Sequence, residues 1–145
     1  MVELMLTVAT IAIIAAYAIP SYQNYVYEAQ VTNAINDIKS LDIAIREYVY
    51  DNRGNLPNSL SDLGIAIKPD PWGNPYQYLN IATASQQTGN TGIRKDKSLH
   101  PINSDYDLYS MGRDGKSVAA LTAKSSQDDI IRARNGQFVG LASDF

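Results

Sequence analysis

Cysteine is absent from this 145-residue chain. That excludes a disulfide framework, a thiolate metal site and a cysteine nucleophile. Histidine occurs once, as His100, without an activating arrangement around it, and it is not read as catalytic. No phosphate-binding glycine loop and no nucleophile–base motif is present either. Basic residues are few and late: 12 Lys and Arg stand against 15 Asp and Glu, the net charge is −3, and the first cation is Lys39. The chain therefore lacks the basic stripe of a nucleic-acid binder. It also lacks the charged start of a secretory signal. No Asn begins an N-x-Ser/Thr acceptor. Two Phe and one Trp accompany ten Tyr, a residue suited to surfaces that are apolar at one end and wet at the other.

What is present begins at once. Residues 1–20 read MVELMLTVATIAIIAAYAIP, almost wholly apolar, with one carboxylate, Glu3. As a helix, Leu4 to Ile19 would span about 24 Å, against about 30 Å for a bilayer core. Met1 to Ile19 is thus expected to lie in lipid, against copies of itself, or in each in turn. A carboxylate at membrane depth costs about 2.5 kcal/mol or more near the helix centre. Glu3 either sits at the interface, near a helix N-terminus that favours an anion, or pairs with a cation on another copy, for which a free N-terminal amine is the candidate. Pro20 strands the carbonyl of Ala16. It predicts kinking, loosening or local melting over about Ala12 to Pro20.

After Pro20 a second helical pattern places Val31, Ile35, Ile38, Leu41, Ile45 and Tyr48 on one apolar stripe. Asn52-Arg53-Gly54 is the expected stop. The chain divides into a protruding helix, 1–25, and a globular part, 26–145, that includes the amphipathic half of the helix. Leu56 to Leu63 reads as a loop into a short helix capped by Asn58 or Ser59. Pro69 to Pro75 reads as turn, with Trp72 plugging it onto the long helix. Strands are expected at Tyr76 to Ile81, at Asp105 to Ser110 and near Lys116 to Ala119, with a further extended segment at Gln137 to Leu141. Thr83 to Ser104, with the basic cluster Arg94-Lys95-Lys97, reads as a solvated surface loop or, alternatively, a contact surface.

Asp114, Asp128 and Asp129 are the candidates for chemistry. Calcium takes six to eight oxygens in irregular loops, and the backbone carbonyl of Met111 could join three carboxylates in such a shell. The EF-hand pattern is absent. In the alternative reading Asp114 is a turn residue and Asp128-Asp129 cap a helix starting at Ile130.

Glu3-Leu4-Met5, the apolar run Leu6 to Ile19 and the stretch Ile19 to Tyr25 resemble the type IV pilin superfamily. Asp70-Pro71-Trp72-Gly73-Asn74-Pro75-Tyr76-Gln77-Tyr78-Leu79, Asp107 to Gly115 and Asp128-Asp129-Ile130 are similar to the major pseudopilin of type II secretion systems. The resemblance implies an α+β pilin fold: a long N-terminal α-helix packed by its C-terminal half on a small antiparallel β-sheet, with irregular C-terminal loops. It implies a filament subunit, with Glu3 and Pro20 serving assembly and a structural calcium at Asp114, Asp128, Asp129 and the Met111 carbonyl. Expected partners are other copies of the chain, membrane lipid before assembly, an inner-membrane assembly platform, a prepilin peptidase and minor pilins or pseudopilins. The expected location is the inner membrane, then a periplasmic pseudopilus or an extracellular pilus. Mature relatives begin with an N-methylated Phe and carry the key Glu at the fifth position, so a Phe, a Thr and a leader peptide are expected ahead of Met1. Two connections, Thr83 to Ser104 and Lys116 to Gln127, are longer than the family's. Three competing readings are a surface pilus, a membrane-tethered binding domain, and a conducting fibre built on Tyr17, Tyr22, Tyr25, Tyr27, Tyr48 and Tyr50.

Overall fold

The apolar run and the amphipathic stripe join in a single helix, α1, Val2–Asp51. The computed structural model describes residues 2–89, 91–97 and 99–145; the expectations that touch Met1 and Ser98 lie outside them. The helix continues through Pro20, so the local melting expected there is not a property of the chain by itself. A proline removes one bond from the ladder, and the turns on either side keep theirs. At about 1.5 Å per residue the 50-residue helix is about 75 Å long. It stops where expected. Arg53 and Gly54 take left-handed φ values of 58° and 89°. The Gly54 N–H then closes the end on the Val49 carbonyl at 2.8 Å.

Beyond α1, the Ser59 side chain and Asp62 form a reciprocal cap on a 3₁₀ turn, Leu60–Leu63. Four strands follow: β1, Gln77–Asn80; β2, Tyr106–Ser110; β3, Ile130–Ala133; and β4, Phe138–Leu141. They pair in chain order as an antiparallel meander. Between β1 and β2 lies a short helix, α2, Ile81–Thr88, capped by the Asn80 side chain.

Two sequence expectations change here. The third strand is Ile130–Ala133, not Lys116 to Ala119, and Ile130 begins this strand rather than a helix. The reason is burial on both faces: all four β3 residues are buried, whereas residues 116–119 are half-covered or exposed. The polar connection 83–104 is also partly built, since Ile81, Ala84 and Ile93 make a small apolar cluster against Leu79.

Side chains alternate across a strand, so the sheet has two covered faces. Ala34, Ile38, Leu41 and Ile45 of α1 pack with Tyr76, Tyr106, Leu108 and Ile130 on one face. Ile131 and Ala133 join Ile102, Leu121 and Ala142 on the other, beneath the long connections. Tyr76 and Tyr78 share the helix-facing side, as their spacing predicts. Trp72 is half-buried beside Tyr27, ring centroids 6.2 Å apart, and so fastens its turn to α1.

A polar clamp fixes the helix on the sheet. Asp42, buried on the apolar side of α1, accepts hydrogen bonds from the Tyr106 hydroxyl and from Arg132 Nε on β2 and β3. Arg46 Nε donates to its other oxygen at 2.9 Å. The Arg132 guanidinium lies 4.0 Å over the Tyr106 ring and forks onto both Asp105 oxygens at 2.9 and 2.8 Å. Burial works to raise the Asp105 pKa, but hydrogen bonds from Arg132 and the Tyr106 N–H outweigh it and hold it below the usual carboxylate range. A lowered carboxylate pKa contributes stability above its unfolded value, and that contribution is lost as pH falls through the folded value. Asp105→Asn is therefore expected to lose about 1–2 kcal/mol at neutral pH. The gap from the parent should close as pH drops below about 4, as read by thermal melts across that range. A gap independent of pH would contradict the assignment.

Candidate assembly helix and acidic loops

Two features carry the candidate chemistry: the uncovered half of α1 and the loops beyond β2. Residues 2–25 are exposed apart from the half-covered Ala15. The most hydrophobic stretch of α1 has a mean hydropathy of 2.2 with none of it buried, so the helix is long and apolar enough to cross a membrane. The two hydroxyls of its first turns are already satisfied: Thr7 donates to the Leu4 carbonyl and Thr10 to the Thr7 carbonyl, each at 2.8 Å. What residues 2–16 of this surface offer a partner is hydrocarbon plus Glu3, which stands in the first turn and makes no ion pair among the described residues; Ser21, Gln23 and Asn24 add exposed polar groups further along. Tyr17, Tyr22 and Tyr25 are exposed. The aromatic pairs among the described residues are Tyr27–Trp72, Tyr78–Tyr106 and Phe138–Phe145, so the helix tyrosines do not stack on each other within one chain.

The two motifs that carried the resemblance touch each other. Asp70 Oδ1 accepts the N–H groups of Trp72 and Asn74 at 3.0 and 2.8 Å, and its other oxygen accepts the Ser110 hydroxyl at the end of β2. Asn74 Nδ2 donates to the Gly112 carbonyl at 3.0 Å. The turn 70–75 is thus a staple over the β2–β3 connection, built from a carboxylate with both oxygens used.

The predicted ligand residues are close in the chain but divided in space by what they bind. Asp114 Oδ1 accepts the Lys116 N–H at 2.8 Å, closing its own turn. Asp128 Oδ2 accepts the Asp114 N–H at 3.1 Å, across the loop. Asp129 points the other way, fully buried, onto Ser117 and the Arg94 guanidinium. Met111 sits half-covered just past β2. Among the described residues no three His, Cys, Asp or Glu side chains converge on one point that could hold a metal ion. A calcium shell of six to eight oxygens does not fit this arrangement as it stands, because a guanidinium occupies the space before the innermost carboxylate. Burial pushes the Asp129 carboxyl up from its ordinary value, while Ser117 and Arg94 pull it back.

Arg94 belongs to the basic cluster read from the sequence as solvated, and here that reading is corrected: Arg94 is 1% exposed. Its NH1 donates to Ser117 and to the Val118 carbonyl. The guanidinium lies 4.0 Å over the Tyr109 ring. Its backbone N–H donates to Asp107 Oδ2 at 2.7 Å. Asp42 and Arg132 were not singled out by the sequence, and Asp70 and Asp107 were marked only as the first residues of the two motifs. Of the first pair, Asp42 left a signal, as an acid beside Leu41 and one turn from Ile38 and Ile45.

Against known proteins, the chain is 29% identical over 137 residues to the type II secretion system core protein G of Pseudomonas aeruginosa, covering 80% of this chain and 82% of that one. It is 34% identical over 103 residues to a fimbrial protein of Neisseria meningitidis serogroup A, covering 67% of this chain and 60% of the relative's length. A fimbrial protein of N. meningitidis serogroup B is 29% identical over 138 residues, covering 92% and 81%. No family model matches the chain, and no solved structure matches it significantly. With the long helix and the four-stranded meander, these likenesses make it a type IV pilin-like chain, related both to pilins and to type II secretion pseudopilins.

Gly112 is the tightest point of the loop cluster. Its φ is +64°, and a Cβ there would overlap the Asp128 carbonyl and its carboxylate. Gly112→Ala is expected to cost about 3 kcal/mol or more. Gly54→Ala, at φ +89° in open space, should cost only about 1 kcal/mol. Equal melting temperatures for the two variants would contradict the packing described.

Proposed function

We propose that this chain is a structural subunit that polymerises through residues 2–25 into a helical filament of the type IV pilus kind, most like the major pseudopilin of type II secretion. The observation that carries this is an apolar half-helix that its own fold leaves uncovered, with one carboxylate near its tip. Lipid covers such a surface before assembly, and other copies cover it afterwards. Lipid tails are as apolar as the helix, so exchanging lipid for helix contacts gives little hydrophobic gain, and packing and polar pairing decide the balance. Glu3 supplies the polar part: carried into a dry core it needs a cation, and the amine at the start of an adjacent subunit meets that need while fixing the register. Pro20 leaves one carbonyl free in a segment of small side chains, and packing in the fibre, not the free chain, would loosen the helix there.

In this reading the subunit waits in the inner membrane and is processed by a prepilin peptidase. An assembly platform passes it into a periplasmic pseudopilus with minor pseudopilins. The second reading, a surface pilus, is favoured by the relatives named as fimbrial proteins.

Glu3→Leu is expected to leave membrane insertion intact and to cut fibre yield by an order of magnitude or more. It would be measured by fractionation and by electron microscopy of sheared material. Normal fibre yield would remove the pairing role. The same micrographs of wild-type cells divide the two readings: long extracellular fibres favour the pilus, and their absence alongside intact secretion favours the pseudopilus.

A further inference from the structure

Arg94 is a cation held where the loops beyond β2 bury a carboxylate, and it is brought there by a different connection. Its side chain and that of Asp129 are 2% and 0% exposed. A buried arginine needs a partner for its charge and a rigid seat. This one has Asp129, the Ser117 hydroxyl, the Val118 carbonyl and the face of Tyr109. The backbone on either side is fastened as well. The Lys95 N–H donates to the Ala119 carbonyl and the Leu121 N–H to the Lys95 carbonyl, both at 2.9 Å, a parallel bridge between Lys95 and Ala120. Thus the two connections that the sequence marked as long, 83–104 and 116–127, are laced together, and the arginine sits at the lacing.

We infer that the chain closes its C-terminal loops with this internal guanidinium in place of a divalent cation, so that the fold is complete without calcium. The geometry separates this from an ion-binding loop. The remaining acids of the cluster, Asp114 and Asp128, spend their described contacts on backbone N–H groups at the other end of the turn. Asp107, the other buried acid near Arg94, is held by the Arg94 N–H and by Asn103 Nδ2 at 2.9 Å. One oxygen of Asp129 has no hydrogen-bond partner, but among the described residues no three His, Cys, Asp or Glu side chains gather there to begin a coordination shell. The extra length of the two connections then has a purpose: one delivers the cation and the other receives it. The inference is independent of whether the fibre is a pilus or a pseudopilus.

The test uses the full chain in detergent micelles, stripped with chelator and melted with and without millimolar calcium. The melting temperature is expected to agree within about 1 °C, since a site loaded well above its dissociation constant would raise it measurably. A rise of several degrees with calcium would overturn the inference. Arg94→Gln should lower the melting temperature by about 10 °C or more in either buffer, because it leaves a buried carboxylate uncompensated. A parent-like value would overturn the inference equally. Should that variant fail to fold, Arg94→Met combined with Asp129→Leu decides the matter. Removal of both charges should recover a folded chain; failure of the pair as complete as that of the single change would show that charge compensation is not the role of Arg94.

Discussion

An acid on the buried side of a helix cannot be left alone, and Asp42 sets the terms for the globular part. Its partners, the Tyr106 hydroxyl and Arg132, arrive from two adjacent strands. An apolar stripe of Ile and Leu would tolerate some sliding of the sheet along α1; a carboxylate with two specified donors does not. With β2 fixed, Ser110 is placed against Asp70 and the 70–75 turn closes. With β3 fixed, Asp129 is carried to Arg94. Each later contact presupposes the one before it.

The same helix meets two solvents, and its polar groups are managed differently in each. In the sheet-facing half, charge is buried and compensated, through Asp42, Arg132 and Asp105. In the uncovered half, the threonine hydroxyls turn back onto the helix itself. Glu3 is the one charged side chain in that half, and it makes no ion pair among the described residues. Toward Pro20 and beyond, Tyr17, Ser21, Tyr22, Gln23, Asn24 and Tyr25 add exposed polar groups to a surface that is otherwise hydrocarbon.

The helix was legible because a long periodic stripe survives any tertiary detail: Ile38, Leu41 and Ile45 are buried as their spacing requires. The Tyr-x-Tyr strand was legible by alternation, and the strand at Tyr106–Ser110 was placed correctly although it is covered on both faces. Ile130–Ala133 was not, because a strand buried on both faces shows no alternation and two preceding acids imitate a helix cap. The acidic cluster was legible as a place but not as an arrangement. Sequence shows that three Asp lie near one another; it does not show that one would turn inward to an arginine more than thirty residues away. Arg94 itself looked solvated because two lysines follow closely and nothing local marks a guanidinium for burial.

The meander also acts as a partition. Everything α1 touches on the sheet lies on one face, while the two long connections and the cluster around Ile102, Leu121 and Ile131 lie on the other. Length and composition on the outer side can drift without altering the surface that receives the helix, provided the lacing through Lys95 and Ala120 is kept. Chains that have diverged only there would present the same axis and the same register to each other. A cell making two such variants would therefore build mixed fibres, patterned on the outside and uniform along the core.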